Sequence, residues 1–310
     1  MDKVAIIGAG FYGLMLGKFL SEKYKVDIFE SQNDVMTRAS SQCQMRIHSG
    51  MMYPRDIKTA VSCIRTFKPF MLKFKDAIVD DFTSLYAIAK DSKINADVFY
   101  ETQKNLGINI SKVKNELFDP NMVQQVFKCC EYTFDIDIIK NTLIDQNIVF
   151  NTKITDIRQL KQYSKIFICA YAGTSEILEK SSMEPINGLR SFNTEKIFFK
   201  DNLGDTAVCV VDGDYFATMC LPKRYNGLKT LTACELTSGH FDTNKVKAFQ
   251  RVKSFIPNIQ LQYDSSTFCK KTVIDNHRNC YIKKINNVYI IIGGKINNVF
   301  ELFNKLKNIQ

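Results

Sequence analysis

Three glycines near the start of the chain carry the clearest chemical signal. In V-A-I-I-G-A-G-F-Y-G, Gly8, Gly10 and Gly13 have G-x-G-x-x-G spacing, directly between an apolar β run and a stretch of helical period. Gly8 permits a tight turn, Gly10 lets the backbone approach a diphosphate with no Cβ in the way, and Gly13 lets helix and strand pack closely. The helix entered at Phe11 and Tyr12 then offers free N–H groups and about half a positive charge to an anion. Glu30 ends the next strand pattern, where a carboxylate accepts hydrogen bonds from ribose hydroxyls and disfavours a 2′-phosphate. The pattern is that of a dinucleotide site that does not suit NADP. Spacing leaves NAD and FAD both open, and a glycine turn that binds nothing is the plain alternative.

A second group of reactive side chains lies at residues 38–60, R-A-S-S-Q-C-Q-M-R-I-H-S-G-M-M-Y-P-R-D-I-K-T-A. His48 is one of only three histidines, with His240 and His277. An imidazole with an ordinary pKa of about 6.5 suits proton transfer at neutral pH. Arg46 and Arg55 could clamp a carboxylate or phosphate bidentately, and Tyr53 adds a further donor. Each has a structural alternative: His48 as a hydrogen-bonding partner of cofactor or backbone, Arg55 as a helix cap or a contact to the cofactor phosphates.

This segment resembles the flavin-contacting stretch of the D-amino-acid-oxidase-like superfamily, the glycine oxidase and L-2-hydroxyglutarate dehydrogenase group. Ile47-His48-Ser49-Gly50-Met51-Met52-Tyr53 stands where the dehydrogenase branch has N-S-G-x-I-H-S-G-x-Y-Y. Arg46, His48, Gly50, Tyr53, Pro54 and Arg55 match the R-x-H-x-G-x-x-Y-P-R of uncharacterised relatives associated with sugar-biosynthesis clusters. Further along, Ile168-Cys169-Ala170-Tyr171-Ala172-Gly173 is similar to the strand-to-turn segment that passes the cofactor, and Gly293-Gly294-Lys295-Ile296 to the glycine turn at the flavin's pyrimidine end.

The resemblance implies FAD as cofactor and no metal. It adds Ser31, Arg38, Ala39, Ser40, Ile154, Ala170 and Gly173 to the expected FAD contacts, with Gly293, Gly294, Lys295 and Ile296 at the far end. A reduced flavin gains negative charge near N1, so a cation or helix N-terminus there helps the reaction. Lys295 is either that cation or a solvent-facing lysine. The implied activity is an oxidase or dehydrogenase acting on a CH–OH or CH–NH group of a small polar, anionic metabolite such as a sugar, nucleotide sugar, amino acid or hydroxy acid. Electrons would pass to oxygen or an external acceptor, since the chain has neither a C-x-x-C pair nor a second G-x-G-x-x-G. A redox-neutral nucleotide-sugar mutase and a non-catalytic FAD-binding protein remain the alternatives. The middle of the chain has no match to the carboxylate-binding residues of amino-acid oxidases, and Arg190, Tyr215 and Lys223 are weaker substrate candidates.

These residues require an α/β frame. Lys3–Ile7, Phe11–Lys23 and Lys25–Glu30 read as β-α-β. Apolar residues at three- and four-residue steps predict a helix over 56–74, and others are expected at 135–146, 244–255 and 298–307. Short strands are expected at 148–150, 153–157, 165–170 and 288–292. Runs at 195–199, 207–211, 215–221 and 228–235, separated by Asp-Asn, Asp-Gly and Asn-Gly turns, predict an antiparallel sheet. The expected fold is a Rossmann-like parallel sheet formed by residues 1–75, 125–185 and 270–310. An antiparallel substrate domain, 76–124 and 186–269, is inserted into it.

Composition bounds the partners. Hydrophobic residues at 45% and charged residues at 24% describe a globular chain with a sizeable core and argue against disorder. No apolar run approaches the roughly 20 residues of a membrane span, and no signal-peptide pattern opens the sequence. A cytosolic protein without membrane partners is expected. The ten scattered cysteines suit reduced thiols. A net charge of +10 draws anions, yet the 42 basic residues are interleaved with 32 acids, unlike a nucleic-acid stripe. A small-molecule partner is expected and the oligomeric state is left open.

Overall fold

The apolar run Lys3–Ile7 becomes the centre of a six-stranded sheet because both of its faces are covered. In a computed structural model its neighbours are Lys25–Phe29 on one side and Lys165–Ile168 on the other, both parallel to it. The spatial order is Tyr281–Ile285, Val288–Ile292, Lys165–Ile168, Lys3–Ile7, Lys25–Phe29 and Ile148–Val149. Only the outermost hairpin, 281–285 with 288–292, is antiparallel. The structure describes all residues except 212, 214, 234, 235, 237–240, 276, 277 and 308–310, together with the side chains of 241–243. The histidines at 240 and 277, Cys234 and the end of the expected strand 228–235 lie outside the described residues.

The chain forms two compact units. The first comprises residues 1–41, 136–192 and 270–310, and the second comprises 42–135 and 193–269. This division departs from the expected one: residues 42–75 and 125–135 belong with the second unit. The physical reason is pairing. Val123–Cys129 joins a strand of the second unit's sheet, and Arg46–Ile47 pairs with Tyr132–Phe134.

In the first unit, Ala5, Ile7, Ile166, Ile168, Val288 and Ile290 share one apolar cluster with Ile154, Leu160 and Ile177. Helices Phe11–Leu20 and Val299–Lys307 pack together, with Phe19 and Phe303 stacked at 4.7 Å. An aromatic pair of this kind contributes about 0.5–1.5 kcal/mol beyond its buried area. The expected strand at 153–157 is absent. That stretch is irregular and leads into a short 3₁₀ turn, Ile157–Leu160, whose Asp156 and Gln159 form a reciprocal cap.

The second unit holds an eight-stranded sheet in the order Leu261–Ile274, Leu189–Asp201, Lys229–Ala233, Phe216–Cys220, Thr206–Val211, Thr83–Ala89, Val123–Cys129 and Ile110–Val113. Its two long strands run on into the first unit at residues 189–192 and 270–274. The expectation of a wholly antiparallel sheet is corrected at one place: Thr83–Ala89 and Thr206–Val211 are parallel. Strand Thr83–Ala89 was not among the expected strands. One apolar cluster gathers Ile197, Phe199, Val208, Val210 and Leu231 with Ala248, Val252 and Phe255 of the helix Phe241–Phe255. A second unites Tyr86, Ile88, Phe127, Cys209 and Val211 with Met51 and Phe99. Helix Ile57–Lys73 starts where Asp56 accepts the Thr59 N–H at 3.1 Å.

Among the described residues no helix is long and apolar enough to cross a membrane. Nine cysteines are described, and none is in a disulfide. Burial pushes the thiols of Cys220 and Cys280 up to about 12, and that of Cys129 well above its ordinary value. These are poor nucleophiles.

Candidate functional site

The first unit gathers the glycine motif, Glu30 and the 38–41 segment at the C-terminal ends of its parallel strands, where ligands bind in open α/β sheets. Gly8 has φ of +103°, and a Cβ there would meet the Cys169 carbonyl oxygen at 2.8 Å. A Cβ on Gly13 would lie 1.9 Å from the Gly8 oxygen. Both positions therefore require glycine, one for turn and one for approach of helix to strand. Gly10 is the N-cap of the helix, and Ser40 Oγ accepts the Phe11 N–H at 3.0 Å. Ser40 thus stands at the positive end of that helix, where an anion would be drawn.

Glu30 is buried and grips the turn. Its Oε2 accepts the Ala9 N–H at 2.8 Å, while Oε1 accepts from the Gln32 N–H at 3.0 Å and the Ser31 hydroxyl at 3.1 Å. Arg38 Nη2 reaches Ser31 Oγ at 3.3 Å. Of the two carboxylate oxygens, Oε2 keeps the spare lone pair. Residues 8, 10, 11, 13, 30, 31, 38 and 40 are thereby drawn together, with Ala39 between the last two and Ala170 behind Gly8, its Cα 3.5 Å from a Cβ built there. Gly173 caps the short helix Thr174–Lys180. Ile154 is buried in the apolar cluster that Ala170 packs against.

The C-terminal glycine turn joins the same unit through Tyr12. The Tyr12 hydroxyl donates to the Lys295 carbonyl at 2.7 Å, and a Cβ on Gly293 would come within 2.4 Å of the Tyr12 ring. At Gly294 a Cβ would lie 1.7 Å from the Arg278 oxygen, and Arg278 Nη2 donates to the Gly294 carbonyl at 3.1 Å. Lys295 is 6% exposed, which removes the solvent-facing alternative, whereas Ile296 is partly exposed. The tight glycine turn packed against its helix, with a buried carboxylate and a helix N-terminus beside it, fits a dinucleotide.

In the second unit, residues 42–49 are tied to one strand of the large sheet after another. Cys269 Sγ contacts the Gln42 carbonyl at 3.7 Å, Lys196 Nζ donates to the Cys43 carbonyl at 2.9 Å, and Gln44 donates to the Ala217 carbonyl at 2.8 Å. Arg46 Nη1 then meets Tyr86 Oη at 3.1 Å and Glu131 Oε2 at 3.3 Å.

Arg46 was expected to face substrate, and the structure corrects this. It is 3% exposed, enclosed by Tyr86, Glu131, Cys209 and the Thr218 carbonyl. Burial alone would lower its pKa, but the acidic groups around it outweigh that and hold it charged. Burial also pushes the Tyr86 phenol well up, so it stays protonated and donates to Glu131 Oε2. His48 and Tyr53 are half-buried, with ring centres 6.0 Å apart, and Arg55 is exposed. Of the weaker candidates, Tyr215 bonds Asp91 at 2.7 Å, Lys223 pairs with Asp81 at 2.6 Å, and Arg190 is exposed. Sequence reasoning missed Glu131 and Tyr86, which belong to no recognisable spacing, and it missed the tie from Tyr12 to Lys295.

A family model described as an NAD(P)-binding Rossmann-like domain matches residues 6–70. The glycine oxidase of Geobacillus kaustophilus superposes with TM-score 0.79 at 13% identity, covering 99% of this chain and 94% of that one. This chain has the glycine oxidase fold. The FAD-bound L-α-glycerophosphate oxidase of Mycoplasma pneumoniae shares the glycine oxidase fold, with TM-score 0.75 and 15% identity over 99% of this chain and 94% of that one. In sequence, the FAD-dependent monooxygenase kojA of Aspergillus flavus is 27% identical over 104 residues, 31% of this chain. The match takes in about a quarter of that protein's length, 24%.

Proposed function

We propose that the chain is an FAD-dependent oxidoreductase that oxidises a CH–OH or CH–NH group of a small, polar, anionic metabolite. The observation that carries this reading is the glycine turn at residues 8–13 gripped by Glu30, on a chain that follows the fold of an FAD-bound L-α-glycerophosphate oxidase over 99% of its length. Sugars and nucleotide sugars are the first substrates to try, because the Arg46-to-Arg55 motif resembles that of relatives associated with sugar-biosynthesis clusters.

When bound, FAD supplies a hydride acceptor. Gly8, Gly10, Phe11 and Gly13 would hold the diphosphate, and Oε2 of Glu30 would accept a ribose hydroxyl. Gly293, Gly294, Lys295 and Ile296 would line the far end, with Lys295 bringing positive charge. His48 would take the proton from the substrate O–H or N–H, and Tyr53 and Arg55 would bind its anionic group.

Two measurements test the proposal. The purified protein should be yellow with a flavin spectrum. Anaerobic addition of hydroxy acids, amines, sugars or sugar nucleotides should bleach that spectrum with at least one of them. A colourless protein that binds no added FAD, or a flavin that none of these reduces, would count against it.

A further inference from the structure

We propose that Glu131 is a positioning residue whose buried carboxylate fixes the chain on both sides of His48 and so sets the direction of its imidazole. The proposal rests on the reading of His48 as the group that faces substrate, although its geometry stands apart from that reading. Oε1 of Glu131 accepts both the Ser49 N–H at 3.0 Å and the Ser49 hydroxyl at 3.1 Å. Oε2 pairs with Arg46 Nη1 at 3.3 Å and takes the Tyr86 hydroxyl proton. One carboxylate therefore holds the residue immediately after His48 and the residue two before it.

The local pairing leads to the same place. Arg46 stands opposite Thr133 and Ile47 opposite Tyr132 in an antiparallel ladder, so one step further in that register sets His48 against Glu131. Directly beyond, Gly50 turns with φ of +105° at a point where a Cβ would be 3.0 Å from the Ala60 carbonyl. His48 sits between a clamp and a forced turn.

Stability alone is a weak reason for such a cluster. The Arg46 and Glu131 side chains are 1% and 0% exposed, and a buried ion pair often stabilises no better than apolar residues of equal volume. What the pair supplies that apolar residues could not is direction. Its four contacts to Ser49, Arg46 and Tyr86 hold the 46–49 segment on both sides of His48.

The test is imidazole NMR on the full chain as purified, labelled with ¹³C,¹⁵N-histidine. With three histidines in the sequence, the His48 cross-peak is identified by its loss in His48→Ala. The proposal expects one sharp His48 signal in the parent protein. In Glu131→Ala and Ser49→Ala that signal should shift by more than a linewidth or split, while the His240 and His277 signals stay in place. Glu131→Gln, which keeps an acceptor for Ser49, should move it less than Glu131→Ala. An unmoved, sharp His48 signal in Ser49→Ala and Glu131→Gln overturns the proposal, and these two variants decide the matter if Glu131→Ala does not fold. Flavin reduction by His48→Ala at the parent rate would remove the proton-transfer reading and leave the NMR result standing.

Discussion

Tyr12 and Lys295, 283 residues apart in sequence, are joined by a hydrogen bond of 2.7 Å from the tyrosine hydroxyl to the lysine carbonyl. The tyrosine belongs to the first glycine motif and the lysine to the last, so this bond binds the two ends of the candidate dinucleotide site to each other. The Tyr12 ring also fills the space in which a side chain at position 293 would lie.

Gly293→Ala should therefore destabilise the first unit by about 1–3 kcal/mol, the usual effect of forcing a methyl into a packed site. Tyr12→Ala in the same chain should return part of that loss, because the clashing ring is gone. Thermal melts of the two single variants and the double variant give the coupling. Strict additivity would show that the two residues do not share this space.

Gly13→Ala should be worse tolerated. Its methyl would lie 1.9 Å from the Gly8 carbonyl oxygen, a backbone atom that no rotamer change can move. Loss of soluble protein, or of at least about 3 kcal/mol in denaturant unfolding, is expected.

Asp27 lends the first unit an acid-sensitive contribution. Burial by itself would raise its pKa, but Lys3 at 2.7 Å, the Tyr163 hydroxyl and the Asn147 amide at 2.6 Å outweigh this and hold the carboxyl below its ordinary value. The unfolded chain thus takes up the proton first as pH falls. The contribution is complete above the unfolded value of about 4 and disappears as pH drops through the lower, folded value. Asp27→Asn should cost about 1–3 kcal/mol at neutral pH and flatten the acid limb of a stability-versus-pH curve measured in urea.

His48→Ala should keep the flavin and lower substrate-driven reduction by roughly 10²–10⁴-fold, the range for loss of a general base. Stopped-flow anaerobic reduction reads this. A rate within a factor of two of the parent would leave His48 a structural role only.

Much of the first unit was legible because its signals are local. The turn at 8–13, the acid at 30 and the apolar run 288–292 each announce their structure within a few residues, and all stand where spacing and period placed them. The second unit was harder to read because its order is set by distant pairings. Strand Thr83–Ala89 takes its place only through its pairing with Thr206–Val211, more than 120 residues away. Arg46 shows the same limit in the site. Its motif suggested a ligand contact, whereas Glu131 and Tyr86, 85 and 40 positions away, turn it into the core. Nothing in the spacing of those three residues marks them as neighbours.

The placing of Lys3–Ile7 at the middle of its sheet bears on how the molecule is made. One neighbour, Lys25–Phe29, emerges at once, but the other is Lys165–Ile168, and that strand in turn waits for Val288–Ile292. At 5–20 residues per second of synthesis, roughly 7–28 s pass between the first strand pair and the strand that covers its open flank. Through that interval the edge of Lys3–Ile7 that Lys165–Ile168 will cover has no strand to pair with, which leaves the nascent chain open to edge-to-edge association.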